Sequence, residues 1–419
     1  MTDKGGFMRQ YVLMSGILAA AALGGCGAES KLDQAAYPPG TVRPATAEQA
    51  SKIAVNTARL QPVAQLSGAM PTGVTVSRDG RIFICTPKWG DNVEFTVGEL
   101  RADGQLVPYP NAEMNQTNPL NPGERFVSVQ SVVVDSANRL WALDTGSIMM
   151  GETMNGGPKL VCIDLQRNEV IKKIPINPPA AHRQTYLNDV RFDLTRGQGG
   201  TAYITDSTDK GPNGIIVVDL FTGESWRKLD GHPSTRAQAG FMAKVEGKPL
   251  QVEQAFGKMQ APQIGADGIA LSPDGKTLYY RPLSSHHLYA ISTDLLADRN
   301  RGSAEASDGV RDLGDIGFAS DGMFCDAEGR LYLTDYENYA IRRGNPNEPN
   351  PRFEILVQDP RMIWPDTLSI ARNGDLYIIV NQLNRQARFN NGQDLRKPPY
   401  LLMKLPVGAG PAMDRLTRE

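Results

Sequence analysis

Aspartate and asparagine return at one position of a repeated phrase, and they are the residues of this chain best placed to do chemistry. The phrase runs Ala266-Asp267-Gly268-Ile269-Ala270-Leu271, turns at Pro273-Asp274-Gly275, and continues Leu278-Tyr279-Tyr280. It recurs as Asp321-Gly322-Met323-Phe324, a turn at Glu328-Gly329, and Leu331-Tyr332-Leu333. At the same point in other copies stand Asn188-Asp189 and Asp366. If a fold gathers these openings, several carboxylates meet in one place, where they repel each other and lose solvation. Such a group persists if a cation neutralises it, if it retains protons, or if water fills the space. Asn188, Asp267 and Asp321 then form a candidate oxygen site for a divalent cation, Ca²⁺ or Mg²⁺. Local capping of loop N–H groups by the same side chains, around a water-filled channel, is the alternative. Asp206, Asp335-Tyr336 and Asn381 end the second apolar run of their copies. With Asn188, Asp189, Asp267, Asp321 and Asp366 they complete the candidate ligand-binding set. Trp89, Tyr186, Tyr339 and Trp364 could add aromatic walls. No Gly-x-Ser-x-Gly nucleophile motif occurs. His286 and His287 are adjacent, so on a strand they face opposite sides and cannot serve one site.

The elements that must position these residues are short strands. Six passages share the pattern of polar opening, apolar strand, tight turn and second apolar strand, beginning near Thr72, Ser131, Asn188, Asp267, Asp321 and Asp366. Asp79-Gly80 and Asn373-Gly374 between apolar runs are strong hairpin signals. Repetition at about fifty residues predicts an all-β, six-bladed β-propeller, one passage per blade. The first strand of each blade lines the axis, and its start lies on the same face as the end of the second strand. One mouth therefore collects the openings. Residues 62–66 are the expected strand that completes the sixth blade from the other terminus. Residues 232–263 break the rhythm and are expected to lie over one face.

The chain has 419 residues, a formal charge of −2, 42 Gly and 29 Pro. That balance offers no basic footprint for nucleic acid, and no apolar run reaches the length of a membrane-spanning helix. Lys4 and Arg9 precede an apolar stretch that ends in Leu23-Gly24-Gly25-Cys26. This predicts a lipoprotein signal over residues 1–25 with lipidation at Cys26, hence an extracytoplasmic chain that is anchored to a bacterial membrane or secreted. An anchor and flexible tether follow over 26–58, the propeller over 59–408 and a tail over 409–419. Cys85, Cys162 and Cys325 sit in apolar strands, where thiols serve as small apolar residues.

Several phrases resemble the major royal jelly protein / Yellow family. They include Pro71-Thr72-Gly73-Val74, Arg139-Leu140-Trp141-Ala142-Leu143-Asp144-Thr145-Gly146, Tyr186-Leu187-Asn188-Asp189-Val190, Ala202-Tyr203-Ile204-Thr205-Asp206-Ser207 and Trp364-Pro365-Asp366-Thr367-Leu368. The resemblance, to a bacterial member, spans about residues 70–405. It implies a six-bladed propeller, secretion and a small-molecule site at one axial mouth; insect relatives are associated with dopachrome conversion, amine binding or sterol binding. A more distant resemblance is to gluconolactonase-type propellers, which hold a divalent cation on the axis through a Glu, an Asn and an Asp. Asp321-Gly322-Met323 matches that pattern, but Pro71-Thr72-Gly73 stands where its first-blade Glu would be. Three readings follow: a propeller that binds a small aromatic or amine-bearing molecule, with isomerase-type activity; a metal-dependent lactonase or esterase; and a non-catalytic binding scaffold on the envelope.

Overall fold

Apolar alternation and Gly-containing turns leave these segments one economical solution, a ring of small antiparallel sheets. The computed structural model describes residues 55–253 and 258–417. The predicted leader, Cys26 and the tether up to residue 54 lie outside the described residues. Six four-stranded sheets succeed one another along the chain. Blade 1 starts with Gly73–Val76 and Ile82–Cys85, blade 2 with Val129–Val134 and Arg139–Asp144, and blade 3 with Leu187–Asp193 and Thr201–Asp206. Blade 4 starts with Ala266–Leu271 and Thr277–Pro282, blade 5 with Met323–Cys325 and Leu331–Asp335, and blade 6 with Pro365–Ile370 and Asp375–Val380. The six-bladed all-β fold read from the repeats is the fold observed.

The ring closes as expected from the sequence. Gln61–Leu66, from the N-terminal side, is the outermost strand of blade 6 and pairs antiparallel with Tyr400–Pro406. Six apolar clusters fill the wedges between neighbouring blades. One joins Val133, Trp141 and Leu160 of blade 2 to Val190, Phe192 and Ile204 of blade 3. The core is thus divided among interfaces, and each blade is stable only against its neighbours.

A recurring turn device fixes the hairpins of blades 2 and 5. Asp135 accepts hydrogen bonds from the N–H groups of Ala137 and Arg139 and from Trp141 Nε1 at 2.8 Å. Asp326 does the same for Glu328, Arg330 and the Tyr332 hydroxyl. The carboxylate six residues before a second-strand aromatic ties the turn to the blade.

The two faces are closed differently. At the face of the turns, residues 409–417 cross several blades: Gly410 O accepts from Ala327 N, Leu416 O accepts from Leu194 N and Ser136 Oγ, and Arg372 pairs with Asp414. At the face of the polar openings lies the interblade insertion. Its hairpin, Lys244–Val245 with Lys248–Pro249, reaches blade 5 through Lys244 N and Glu337, and the blade 6 loop through Glu246, Asn384 and Arg385.

Candidate functional site

Four first strands begin with a break in register: Val129/Ser131, Leu187/Val190, Ala266/Ile269 and Pro365/Leu368. A bulge of this kind swings a side chain out of the regular alternation. The residues in the breaks are Gln130, Asn188-Asp189, Asp267-Gly268 and Asp366-Thr367. The polar openings therefore face the axis because the sheet is irregular there.

The openings are stitched from blade to blade. Thr72 Oγ1 donates to Gln130 O at 3.1 Å, Ser131 Oγ to Asp189 Oδ1 at 2.7 Å, and Asn188 Nδ2 to Asp267 Oδ1 at 2.8 Å. The Asp267 and Asp321 carboxyls lie close enough to act on each other, an approach that favours a proton on Asp267. Gly322 N donates to Asp366 O, and Trp364 Nε1 donates to Asp321 Oδ2 at 2.7 Å.

Electrostatics follow from this crowding. Burial, with the charges of Asp321 and Asp366 added, pushes the Asp267 carboxyl well above the usual range. Burial also raises Asp321, to about 6, against the indole N–H of Trp364 that favours its ionised form. Asp366 is raised well above its usual value by burial and by Asp321, against the Asn381 amide that donates to it at 2.6 Å. The trio thus keeps protons to a higher pH than separate carboxylates would.

Asn188, Asp267, Asp321 and Asp366 line one axial cavity with Trp89, Gln130, Tyr186 and Arg388. The space between these side chains is about 340 Å³ when the solvent at its open mouth is counted. Trp89 Nε1 donates to the Tyr186 hydroxyl at 2.7 Å, and that hydroxyl donates to Gln130 Oε1 at 2.9 Å. A second, apolar hollow of about 310 Å³ shares Ile264, Leu283 and Leu383 with the first, and takes Phe241, Ala243 and Leu250 from the insertion. Tyr336 and Trp364 stack at 4.2 Å and line this hollow.

The structure does not bring the other candidates into the axial cavity. Asp189 is held by Ser131, Val190 N and Arg191 Nη1. Asp206 pairs with Arg227 at 2.7 Å and Asp335 with Arg342 at 2.7 Å, each at the end of its second strand. Asn381 stands behind Asp366, and Tyr339 packs at the edge of the cluster between blades 5 and 6. His286 bonds Glu337 and His287 bonds Asp312, separate partners as their alternation requires.

Ca²⁺ or Mg²⁺ takes six or more oxygen ligands. The Asn188 amide is turned to donate to Asp267, burial and the neighbouring carboxylates favour the protonated form of Asp267, and Trp364 occupies one Asp321 oxygen. Among the described residues no three His, Cys, Asp or Glu side chains converge as a metal-holding group. In this arrangement the set fits a hydrogen-bonded network better than a cation shell.

Sequence reasoning missed Arg388. It lies on the blade 6 loop, within the second of two short 3₁₀ turns, Leu383–Arg385 and Ala387–Phe389. Its Nη1 meets Met150 Sδ at 3.2 Å, and its guanidinium stacks on Trp89 and Phe389. Its Nε is sealed from solvent without a hydrogen-bond partner. Burial draws its pKa down to about 10. The signal available was an arginine flanked by an aromatic in a long loop at the mouth.

The sequence profile described as "Major royal jelly protein" matches residues 127–407. Protein yellow of Drosophila guanche is 25% identical over 359 residues, covering 79% of this chain and 60% of its own length. Protein yellow of Drosophila melanogaster is 25% identical over 337 residues, covering 75% and 59%. The chain therefore spans about 60% of the length of these curated relatives. Among solved structures, a luciferin-regenerating enzyme aligns over 84% of this chain and 96% of its own, with TM-score 0.51 and 11% identity. A putative gluconolactonase aligns over 88% and 99%, with TM-score 0.51 and 12% identity. Both likenesses are of fold.

Proposed function

We propose, for a chain that belongs to the major royal jelly protein family, that the propeller binds a small aromatic, amine-bearing molecule in the axial cavity and isomerises it by moving a proton. One observation carries this reading: a single cavity combines the aromatic side chains of Trp89 and Tyr186 with the crowded, buried carboxyls of Asp267, Asp321 and Asp366. An aromatic ring packs against the former, and an ammonium group is drawn to the ionised carboxylate. A neutral acid beside an ionised one is also the pair a tautomerisation of the dopachrome-conversion type requires. One carboxylate takes a proton from the ligand, a neighbouring acid returns one at another atom, and no redox partner is needed. Attachment to a bacterial membrane through Cys26, on the extracytoplasmic side, belongs to the same proposal.

The test is a calorimetric titration of the full chain with catecholamines and indoleamines, followed by an assay of dopachrome isomerisation. Saturable binding that Asp321→Asn weakens by about tenfold, with turnover lost in the same variant, is the expected result. No binding across the panel sinks the reading. Binding without turnover leaves a non-catalytic envelope scaffold.

The gathering of Asn188, Asp267 and Asp321 favours a second reading, a divalent-metal-dependent lactonase. It requires Asn188 to turn its amide and Asp267 to give up its proton. Purified protein without bound divalent metal, in which added Ca²⁺, Mn²⁺ or Zn²⁺ restores no lactone cleavage, rules it out.

A further inference from the structure

The axial cavity has a second pole. Several arginines with little exposed surface are matched with carboxylates: Arg227 with Asp206, Arg342 with Asp335, and Arg361 with both oxygens of Asp359; the fully buried Arg281 donates instead to the carbonyls of Ser285 and Phe318, within the blades. Arg388 has no such match. Its described polar contact is a thioether, and its Nε is buried with nothing to donate to. A guanidinium left in this state is costly unless something else completes it. Nor is it free to swing away. Trp89 and Phe389 both lie against it, and Asn390 pins its loop by donating to the carbonyls of Asn384 and Gln386. Leu395 N and Glu246 fasten the same loop through Arg385.

Arg388 lines the same cavity as Asp267, Asp321 and Asp366, with Tyr186 between the two poles: that ring feels both the guanidinium and Asp267. Apart from burial, which draws its pKa down, the carboxylate that acts on Arg388 is that of the exposed Asp209. We infer that Arg388 is the recognition group for a carboxylate, so that the molecule held here is an aromatic carrying a carboxylate as well as an amine. The planar fork of a guanidinium matches a carboxylate through two parallel hydrogen bonds. A phosphate dianion suits the site poorly, because one guanidinium leaves it a net charge facing Asp209 and the axial carboxylates. The inference rests on the proposed small-molecule reading of the cavity and narrows it: amines that lack an acid group leave Arg388 uncompensated.

Calorimetry on the full chain with matched probes separates the two. The pairs are tryptophan with tryptamine and tyrosine with tyramine. In the natural protein the acid-bearing member should bind about ten- to a hundredfold more tightly, the range expected for hydrogen bonds to a charged group. Arg388→Gln should bring that ratio close to one, and Arg388→Lys should restore only part of it. Far-ultraviolet circular dichroism and the melting temperature confirm that each variant is folded; Arg388→Lys, which keeps the charge and most of the bulk, carries the test if Arg388→Gln unfolds. If the amines bind as tightly as the acids, or if the preference survives in folded Arg388→Gln or is undiminished in Arg388→Lys, the inference is overturned while the cavity remains an amine site. If no probe binds, the small-molecule reading fails and the inference fails with it.

Discussion

At Asp321, burial and the Trp364 indole N–H pull in opposite directions, and burial wins, with a pKa of about 6 against an ordinary 3.8. Between those values the folded chain holds more protons than the unfolded one. This carboxyl therefore favours folding below pH about 4, and that contribution is lost as pH rises through 6. Asp321→Asn removes the titration while its side-chain oxygen still accepts from Trp364. Denaturant unfolding across pH 4 to 7 should show the variant gaining on the natural protein, by on the order of a few kcal/mol. A difference that stays flat with pH would refute the account. That these carboxylates converge was legible in the sequence from their position in the repeat. Their division of labour was not, because the influence of Asp321 on Asp267 depends on two side chains from different blades. Asp206 and Asp335 share the same mouth in a strand diagram, yet Arg227 and Arg342 hold them within their own blades.

The element that makes the site is the irregular start of the first strand. The glycine of the Asp-Gly phrase reads locally as a strand opening. In the ring it is required by close approach: a Cβ on Gly268 would lie 2.5 Å from Asp321 O, and one on Gly322 would collide with Asp366 O. Each first strand thus leans its backbone on the opening of the next. Gly322→Ala should lower stability by about 3 kcal/mol, whereas Gly410→Ala, which meets nothing within 4 Å, should change it by less than about 0.5 kcal/mol. Equal melting temperatures for the two variants would show that the inner strands do not approach this closely. The hairpins were predictable from Asp-Gly and Asn-Gly turns. The bulges were not, because these inner strands are buried on both faces and carry no alternation that a one-residue slip would interrupt.

At the scale of the molecule, closure is the decisive event. Gln61–Leu66 covers the edge of Tyr400–Pro406, so one sheet is built from both ends of the described chain. Deleting residues 61–66 exposes that edge and should replace a single cooperative unfolding transition with an earlier, broader one and with aggregation. An unchanged melt would mean that closure contributes little. The buried thiols give a second measure of integrity. Burial pushes Cys85 and Cys162 up to about 12 and raises Cys325 further. None of the three should react with a thiol reagent at pH 8 until the propeller unfolds; reaction of any in the native state would contradict the described packing.

The sequence by itself determined the number of blades, the strand that closes the ring and the mouth at which the polar openings meet. Each of these follows from local alternation, turn chemistry and repetition, which act over a few residues at a time. Only the tertiary structure decided which acids act on each other, which are neutralised by arginines, and that Arg388 stands beside Trp89 in the same cavity. Those outcomes depend on distances between residues far apart in the chain and on the loss of water around them. Neither quantity is written in the order of the residues.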